Sequence, residues 1–426
     1  MAQSSPLHDT EERSSSKILK KLGAGLITGA ADDDPSGIAT YSQVGAQFGF
    51  TLGWTMLLSY PLMAAVQGLS AGIGAVTGKG IAQNLRSHYS PWLARAAVLL
   101  LFVANFINIG ADLAAMGAAL RLLIAGPPLL YAAIFGIICV LLEVFVSYQR
   151  YALFLKWLTL SLFAYVIVVF AVDLPWSTAL RGALIPQFTF DNGHAMALTA
   201  ILGTTISPYL FFWQAGQEVE ELRVRNRGRL KTNPQAAEPE LARIRIDTLI
   251  GMGFSNVVAL AIITATAATL HANGITQIQT SEQAAEALRP IAGVFAFGVF
   301  AAGIVGTGLL AVPVLAASAA SAVAELFDWP RGLDRAPHRA KAFYATIAAA
   351  TLGSVGLAFS KIDPFQMLYW SAVVNGILAA PLIAVMTMMA RSPGIMGKLL
   401  APWWMAALGG LTALVMMLAT AAMFLL

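Results

Sequence analysis

Residues 22–48 read LGAGLITGAADDDPSGIATYSQVGAQF, an apolar run interrupted near its middle by three acids and a proline. Each charged side chain at the centre of a bilayer costs about 2.5–3.5 kcal/mol on insertion scales, so Asp32–Asp34 are unusual in such a run. Pro35 cannot donate to the helix ladder, and Gly37 has no side chain. Irregular backbone at membrane depth is tolerated only where protein surrounds it or a watery cavity adjoins it. The stretch therefore predicts a membrane helix that is broken at its middle.

Composition places the rest of the chain in the membrane as well. Of its 426 residues, 58% are hydrophobic and 11% are charged. A soluble domain carries about 25% charged residues, which excludes a soluble globular protein, and the apolar content excludes disorder. We predict an all-α integral membrane protein with eleven transmembrane helices, near 22–48, 52–76, 94–122, 128–148, 151–173, 194–217, 245–271, 290–326, 341–360, 363–390 and 402–425.

The positions of the basic residues indicate the orientation. Of the 26 Lys and Arg residues, 22 fall on one side of the predicted spans; the other four are Arg121, Arg181, Arg289 and Lys361. Because cytoplasmic loops are enriched in Lys and Arg, we expect a plasma or inner membrane protein with a cytoplasmic N-terminus and an external C-terminus. The net charge of +4 reflects this topology, so no nucleic-acid partner is expected. We interpret the basic segment 223–245 as a cytoplasmic loop.

A second break is predicted in the sixth span, AMALTAILGTTISPYLFFWQAGQ, where Gly203, Thr204, Ser207 and Pro208 lie at the centre. Breaks in the first and sixth spans fall at the start of two groups of five helices. Corresponding interrupted helices in two halves are typical of an inverted-repeat transporter with its binding site at the midplane. We therefore divide the chain into a cytoplasmic tail (1–20), two five-helix repeats (21–175 and 190–390) and an eleventh helix (400–426).

The chemistry of the two breaks favours a hard cation. Asp34, free helix carbonyls and hydroxyl groups are oxygen ligands, which suit Mg²⁺, Mn²⁺ or Na⁺. The five His residues all fall in predicted loops or at helix ends, so an imidazole site for zinc or copper is not expected.

The run 29–37 (GAADDDPSG), the break at 203–208 and the eleven-helix layout together resemble the Nramp divalent-metal transporters, over nearly the whole chain. The resemblance implies the LeuT-like 5+5 inverted-repeat fold, with helices 1 and 6 broken. It also implies a metal site at Asp34, Gly37, Thr204 (through its carbonyl) and Ser207. The family carries Asn where this chain has Gly37, a Met thioether where it has Ser207, and His where it has Tyr209.

These departures resemble the Nramp-related magnesium transporter branch. Loss of sulfur removes the preference for soft metals, and loss of the Asn side chain enlarges the predicted cavity. Mg²⁺ usually keeps several waters, so a wide all-oxygen site favours hydrated Mg²⁺, with Mn²⁺ also carried. The family's proton relay is incomplete as well: Asp112 matches its Asp, but Ala115 replaces its Glu, and the ninth span 343–359 contains no Arg, Lys or His. Uptake without proton coupling is expected.

Four further residues are candidates for the pathway or a gate: Asp33, Asp112, Tyr209 and Asn375. Glu143 is interpreted as solvated near the end of its span or paired with Arg150. Glu218, Glu220 and Glu221 either line a cytoplasmic exit or cap a helix end.

We thus predict an alternating-access importer of hydrated divalent cations rather than an enzyme, since no nucleophile–base pair is found. Its expected partners are the metal ion, as substrate, and the lipid bilayer. We expect the protein to be a monomer and to need no cofactor. Two alternatives stay open: a proton-coupled Mn²⁺/Fe²⁺ symporter of the usual Nramp type, and an amino-acid or organic-solute transporter of the same fold. The three acids beside the break disfavour the second, because they would repel a substrate carboxylate.

Overall fold

The computed structural model describes residues 28–29, 31–146, 160–225, 228–333 and 335–426, and over these ranges it contains no strand. The α-helices are α1 Pro35–Phe48, α2 Trp54–Thr77, α3 Ile81–His88, α4 Pro91–Arg121, α5 Pro128–Phe145, α6 Phe163–Ala171, α7 Trp176–Leu184, α8 Asn192–Thr205, α9 Pro208–Val224, α10 Pro234–Thr269, α11 Ser281–Glu286, α12 Arg289–Ala292, α13 Ala296–Phe327, α14 Lys341–Ser354, α15 Pro364–Ala390, α16 Pro393–Met396 and α17 Trp403–Leu425. Short 3-10 helices cover Leu160–Leu162, Leu230–Thr232, His271–Asn273, Gly293–Phe295, Pro337–Arg339 and Val355–Phe359.

The helices agree with the predicted spans wherever the chain is described. Within these ranges nine helical stretches are long and apolar enough to cross a membrane, and they match every predicted span except the first and the fifth. Those two, 22–48 and 151–173, include residues outside the described ranges, but α1 and α6 lie within them. The prediction of an all-helical membrane protein is confirmed.

The segment predicted as a long basic loop is largely helical. Helix α9 continues to Val224, and α10 already begins at Pro234, so Arg243 and Arg245 lie on a helix. A proline at the first helical position is favourable because its backbone angle is preset and no amide bond is lost. Glu240 also accepts a bond from Arg243 Nε (2.9 Å) one turn along α10. The prediction of a loop reaching residue 245 is therefore wrong in its second half.

Close helix packing holds the sixth span in place on both sides of its interruption. Gly203 on α8 lies so near the backbone of α15, at Ala372 and Gly376, that a Cβ atom there would overlap it. Gly74 on α2 approaches the backbone of α9 at Ala215 in the same way. Small residues permit such approach between membrane helices, where packing rather than hydrophobic burial drives association. The two halves of the broken span are thus fixed by different neighbours, α15 and α2.

Candidate metal site between two helix breaks

The first break lies immediately before α1. Asp34 is the N-cap residue, in extended conformation (φ −71°, ψ 170°), and Pro35 occupies the first helical position. Carboxylate oxygen Oδ1 of Asp34 accepts hydrogen bonds from the Gly37 amide (2.7 Å) and the Ser36 hydroxyl (2.8 Å). Asp is a favoured N-cap because it satisfies amides that lack an intrahelical partner. Oδ1 of Asp34 therefore caps the start of α1, and Oδ2 remains available to groups on other helices.

The second break separates α8 from α9. Ile206 leaves the helical conformation (φ −126°, ψ 52°), Ser207 is extended, and Pro208 begins α9. The Ser207 hydroxyl lies 2.8 Å from the Gly203 carbonyl oxygen and 2.9 Å from that of Thr204. It thereby covers carbonyls that the end of a helix leaves without intrahelical partners. Both interruptions predicted from the sequence are present, and both begin their second half at a proline.

The two breaks lie against each other. The Tyr209 hydroxyl, in the first turn of α9, is 3.1 Å from Asp34 Oδ2 and 3.0 Å from the Ala31 carbonyl oxygen. A Cβ atom built on Gly37 would lie 3.3 Å from the Thr204 hydroxyl oxygen. The structure thus brings together Asp34, Gly37 and Thr204, and adds Tyr209 as a direct partner of the carboxylate.

Two side chains that sequence analysis missed complete the surroundings of Asp34. Asn108 on α4 donates from Nδ2 to Asp34 Oδ2 (3.2 Å), and the Ser371 hydroxyl on α15 donates to Asn108 Oδ1 (2.7 Å). Asn108 did carry a signal, because it is a polar residue in an apolar span, one helical turn before Asp112. Ser371 carried none, since a serine in a membrane helix commonly bonds its own preceding turn, as this one also does at Leu368.

The electrostatic surroundings of Asp34 favour a cation. Asp34 is 1% exposed, and Asn108 and Tyr209 are fully buried. All four hydrogen-bond donors to the Asp34 carboxylate are neutral groups. A buried charge without a partner is costly, so an ion that brings positive charge gains strongly at this position. In the described ranges no three His, Cys, Asp or Glu side chains are grouped to hold a metal.

The two preceding acids have a different neighbour. Ser255 on α10 places its hydroxyl oxygen 2.5 Å from Asp32 Oδ2 and 3.0 Å from Asp33 Oδ1. Both carboxyl groups are buried. Asp33, a predicted pathway residue, is thus tied to α10, whereas Asp34 faces α4 and α9.

Asp112, Glu143 and Asn375 are buried without the contacts that would assign them a role. Among the described residues, neither carboxylate oxygen of Asp112 or Glu143 has a hydrogen-bond partner, and the Asn375 side-chain nitrogen has none either. Glu143 is only 4% exposed, so the interpretation that water solvates it is wrong; Arg150, its other suggested partner, lies outside the described residues. Asn375 is one helical turn beyond Ser371 on α15. Ser371 is the residue through which α15 reaches the Asp34 site, by its bond to Asn108.

An ionic network surrounds the C-terminal part of α9. Gln214 bonds to Thr28 on one side and to Glu218 Oε1 (3.3 Å) on the other. Arg243 Nη2 on α10 then lies 2.8 Å from Glu218 Oε2 and 3.1 Å from Glu221 Oε2. Glu218 is therefore neither an exposed cap nor an open exit in this structure. The network joins α9 to α10 beyond the second break.

Replacing Asn108 with Leu is expected to lower metal uptake at subsaturating metal about tenfold. The bond from Asn108 holds the Asp34 carboxylate in a defined orientation, and hydrogen bonds to charged groups contribute about 1.5–3 kcal/mol. Removing Asn108 should therefore weaken metal binding at Asp34. Asn105→Leu is the matched control, because Asn105 is buried on the same helix but bonds to the Leu315 carbonyl oxygen (2.9 Å). The control should lower thermal stability and leave uptake per folded molecule unchanged. Equal uptake losses in both variants would contradict a role of Asn108 at Asp34.

Comparisons with solved structures bear on the fold. The structure resembles the Eremococcus coleocola manganese transporter with a TM-score of 0.74 at 17% identity, covering 99% of this chain and 87% of that one. It also resembles MhsT, solved in complex with L-phenylalanine, with a TM-score of 0.64 at 14% identity, covering 93% and 98% of the two chains. At these identities the likeness establishes the LeuT-like fold alone, and it confirms the predicted fold class.

Sequence comparisons establish the family. The divalent metal cation transporter MntH of Yersinia pestis is 31% identical over 296 residues, which is 67% of this chain and 68% of that protein. MntH of Klebsiella pneumoniae is 30% identical over 298 residues, 68% of each. The family model described as natural resistance-associated macrophage protein-like matches residues 25–426. The resemblance drawn from the two helix breaks is therefore confirmed, and the chain belongs to the Nramp family.

Proposed function

We propose that this chain transports divalent metal cations across the membrane by alternating access, with Asp34 as the charged ligand. The observation that carries the proposal is a buried carboxylate between two helix breaks which, among the described residues, accepts hydrogen bonds from neutral groups only. Metal binding would draw on Asp34 Oδ2, the Thr204 carbonyl and the Ser207 hydroxyl, and Gly37 leaves its ligand position to water. The relatives named as divalent metal cation transporters support the same substrate class.

Mg²⁺ is the proposed main substrate, with Mn²⁺ also carried. Every candidate ligand atom in the two breaks is oxygen, and Ser207 offers a hydroxyl where the family resemblance implies a thioether. Hard oxygen ligands do not select transition metals over Mg²⁺, whereas thioethers do. In this structure Thr204 and Tyr41 fill the space beside Gly37, each 3.3 Å from where a Cβ atom would lie. A hydrated ion therefore requires these two side chains to move apart when the site opens.

The proposed driving force is the membrane potential rather than a proton gradient. The ninth span, α14 with the following 3-10 turn, carries no Arg or His and its one Lys, Lys341, is at its first residue. Moving one charge through 100 mV is worth about 2.3 kcal/mol, so a divalent cation gains about 4.6 kcal/mol without protons. With the N-terminus in the cytoplasm and the chain as a monomer in the plasma or inner membrane, this potential drives import.

One observation favours the alternative of a proton-coupled Mn²⁺/Fe²⁺ symporter. Asp112 and Glu143 are buried carboxyl groups without hydrogen-bond partners in the described ranges, and buried acids of this kind serve as proton carriers in many transporters. Neither has a basic neighbour in the described ranges with which it forms an ion pair. The flux experiment below separates the two possibilities.

Uptake into liposomes tests the function directly. We expect Mg²⁺ and Mn²⁺ to enter vesicles containing the purified protein, faster with a negative interior potential, and with no change in an internal pH dye. Protein-free vesicles and a potential clamped at zero are the controls. Internal acidification that follows metal entry would instead support the proton-coupled symporter, and absence of entry for both metals would contradict divalent-metal transport.

A further inference from the structure

A groove outside the metal site lies between α2, α10 and the segment that joins α15 to α17. Its volume is about 280 Å³, and apolar side chains form most of its wall, among them Leu69, Val76 and Met405. Gly72 opens it further, because a Cβ atom built there would meet no atom within 4 Å. This volume is slightly below the ~300–1,000 Å³ of small-molecule sites, so it suits one chain-like apolar group rather than a bulky ligand.

Two basic residues stand at the rim of this groove. Arg245 on α10 and Lys398 in the α15–α17 segment both line it, together with one acid, Glu238. Arg245 bonds through Nε to the Leu241 carbonyl oxygen (3.3 Å), and in the described part of the chain neither basic residue forms an ion pair. Two cations against one carboxylate leave the rim with one net positive charge. The rim lies on the side of the membrane that carries most of the Lys and Arg residues.

We propose that the groove binds an anionic phospholipid, with one acyl chain against the apolar wall and the phosphate between Arg245 and Lys398. The combination of an apolar slot and unpaired cations matches the two ends of such a lipid. Basic residues at an anionic membrane surface each contribute about 1 kcal/mol, and that surface is where the basic rim lies. A zwitterionic lipid offers the same acyl chain but no net charge to the rim. The bound lipid joins α2, α10 and α17, which otherwise meet around an open space.

Thermal unfolding and native mass spectrometry of the detergent-purified full chain test this site. Added phosphatidylglycerol should raise Tm and stay bound as a single copy, whereas phosphatidylcholine should do neither. Gly72→Leu should abolish this response, because the new side chain fills the slot. Arg245→Gln combined with Lys398→Gln should weaken phosphatidylglycerol binding about tenfold or more. The readout is lipid binding and does not depend on which ion is transported.

Gly410→Leu is the matched control for the slot. Gly410 is an exposed glycine within α17, and a Cβ atom there also meets no atom within 4 Å. This variant should keep the full phosphatidylglycerol response. Equal responses to phosphatidylglycerol and phosphatidylcholine would overturn the proposal, as would an unchanged response in both Gly72→Leu and the double charge variant. Should Gly72→Leu fail to fold, the double charge variant alone decides, because Lys398 is exposed and Arg245 is only half-buried.

Discussion

Asp34→Asn is expected to reduce Mg²⁺ and Mn²⁺ uptake to the level of protein-free vesicles while the protein still folds. Asn keeps the size of the side chain and is as good an N-cap as Asp, so α1 should still begin at Pro35. What is lost is the negative charge that faces the ion. Removing one partner of a buried charge pair costs about 2–5 kcal/mol, which corresponds to a loss of about thirtyfold to several thousandfold in binding. Initial uptake rates across a range of metal concentrations measure the effect.

Asp363→Asn is the matched control for this variant. Asp363 precedes Pro364 in the same Asp-Pro pattern, caps α15 and accepts a hydrogen bond from the Phe365 amide (2.8 Å). It differs from Asp34 in lying outside the two breaks. Its substitution should leave uptake near the parent value. Full uptake by Asp34→Asn, or an equal loss in both variants, would show that the charge of Asp34 does not bind the transported ion.

The position of both breaks could be predicted because local chemistry dictates them. Pro35 and Pro208 each remove a helix donor, and the polar residues beside them bond to freed backbone groups: Asp34 caps the start of α1, and the Ser207 hydroxyl covers carbonyls at the end of α8. These effects act within a few residues along the chain, so they are readable in the sequence. Asp34 could be identified as a functional residue for the same reason, since placing an acid at membrane depth costs free energy however the helix packs.

The partners of Asp34 on other helices could not be predicted in the same way. Which face of α4 meets the first break depends on how α4 packs against α13 and α15, so the sequence predicts Asp112 as a pathway residue whereas Asn108 makes the contact. Tyr209 is a predicted gate residue, and only the structure shows that its hydroxyl is bonded to the carboxylate itself. In both cases the residue type was recognised as unusual for its span, and only the tertiary arrangement decided which atom it reaches.

The ion network below the site was also hidden from the sequence. Arg243 is predicted to lie in a cytoplasmic loop because the segment 223–245 is rich in Lys and Arg. Its acidic partners Glu218 and Glu221 are more than 20 residues away on α9, and the pairing needs α10 to begin at Pro234. The proposed alternating access predicts that this contact between α9 and α10 changes during transport, because it ties the second half of the broken span to α10.

Gly37→Asn combined with Ser207→Met is expected to raise the ratio of Mn²⁺ to Mg²⁺ uptake about tenfold, which corresponds to about 1.4 kcal/mol of relative stabilisation. A thioether favours the softer ion, and the Asn amide oxygen replaces a water in the coordination shell. Removing the Ser207 hydroxyl also frees the Thr204 carbonyl oxygen, which it now bonds at 2.9 Å. The Asn Cβ atom must displace Thr204 or Tyr41 by a few tenths of an ångström, because both lie 3.3 Å away. Competition between the two metals in the same vesicles measures the ratio.

Ser207→Leu, with Gly37→Asn in the same chain, separates sulfur chemistry from size. Leu is similar in volume to Met and likewise frees the Thr204 carbonyl, but it offers no ligand atom. The Leu variant should therefore lose uptake of both metals without gaining preference for Mn²⁺. A ratio that rises equally in the Leu and Met variants would show that space, and not sulfur, sets selectivity here. A ratio unchanged in the Met variant would contradict the assignment of residues 37 and 207 to the ion's coordination shell, since the ion would then be held by atoms that neither substitution reaches.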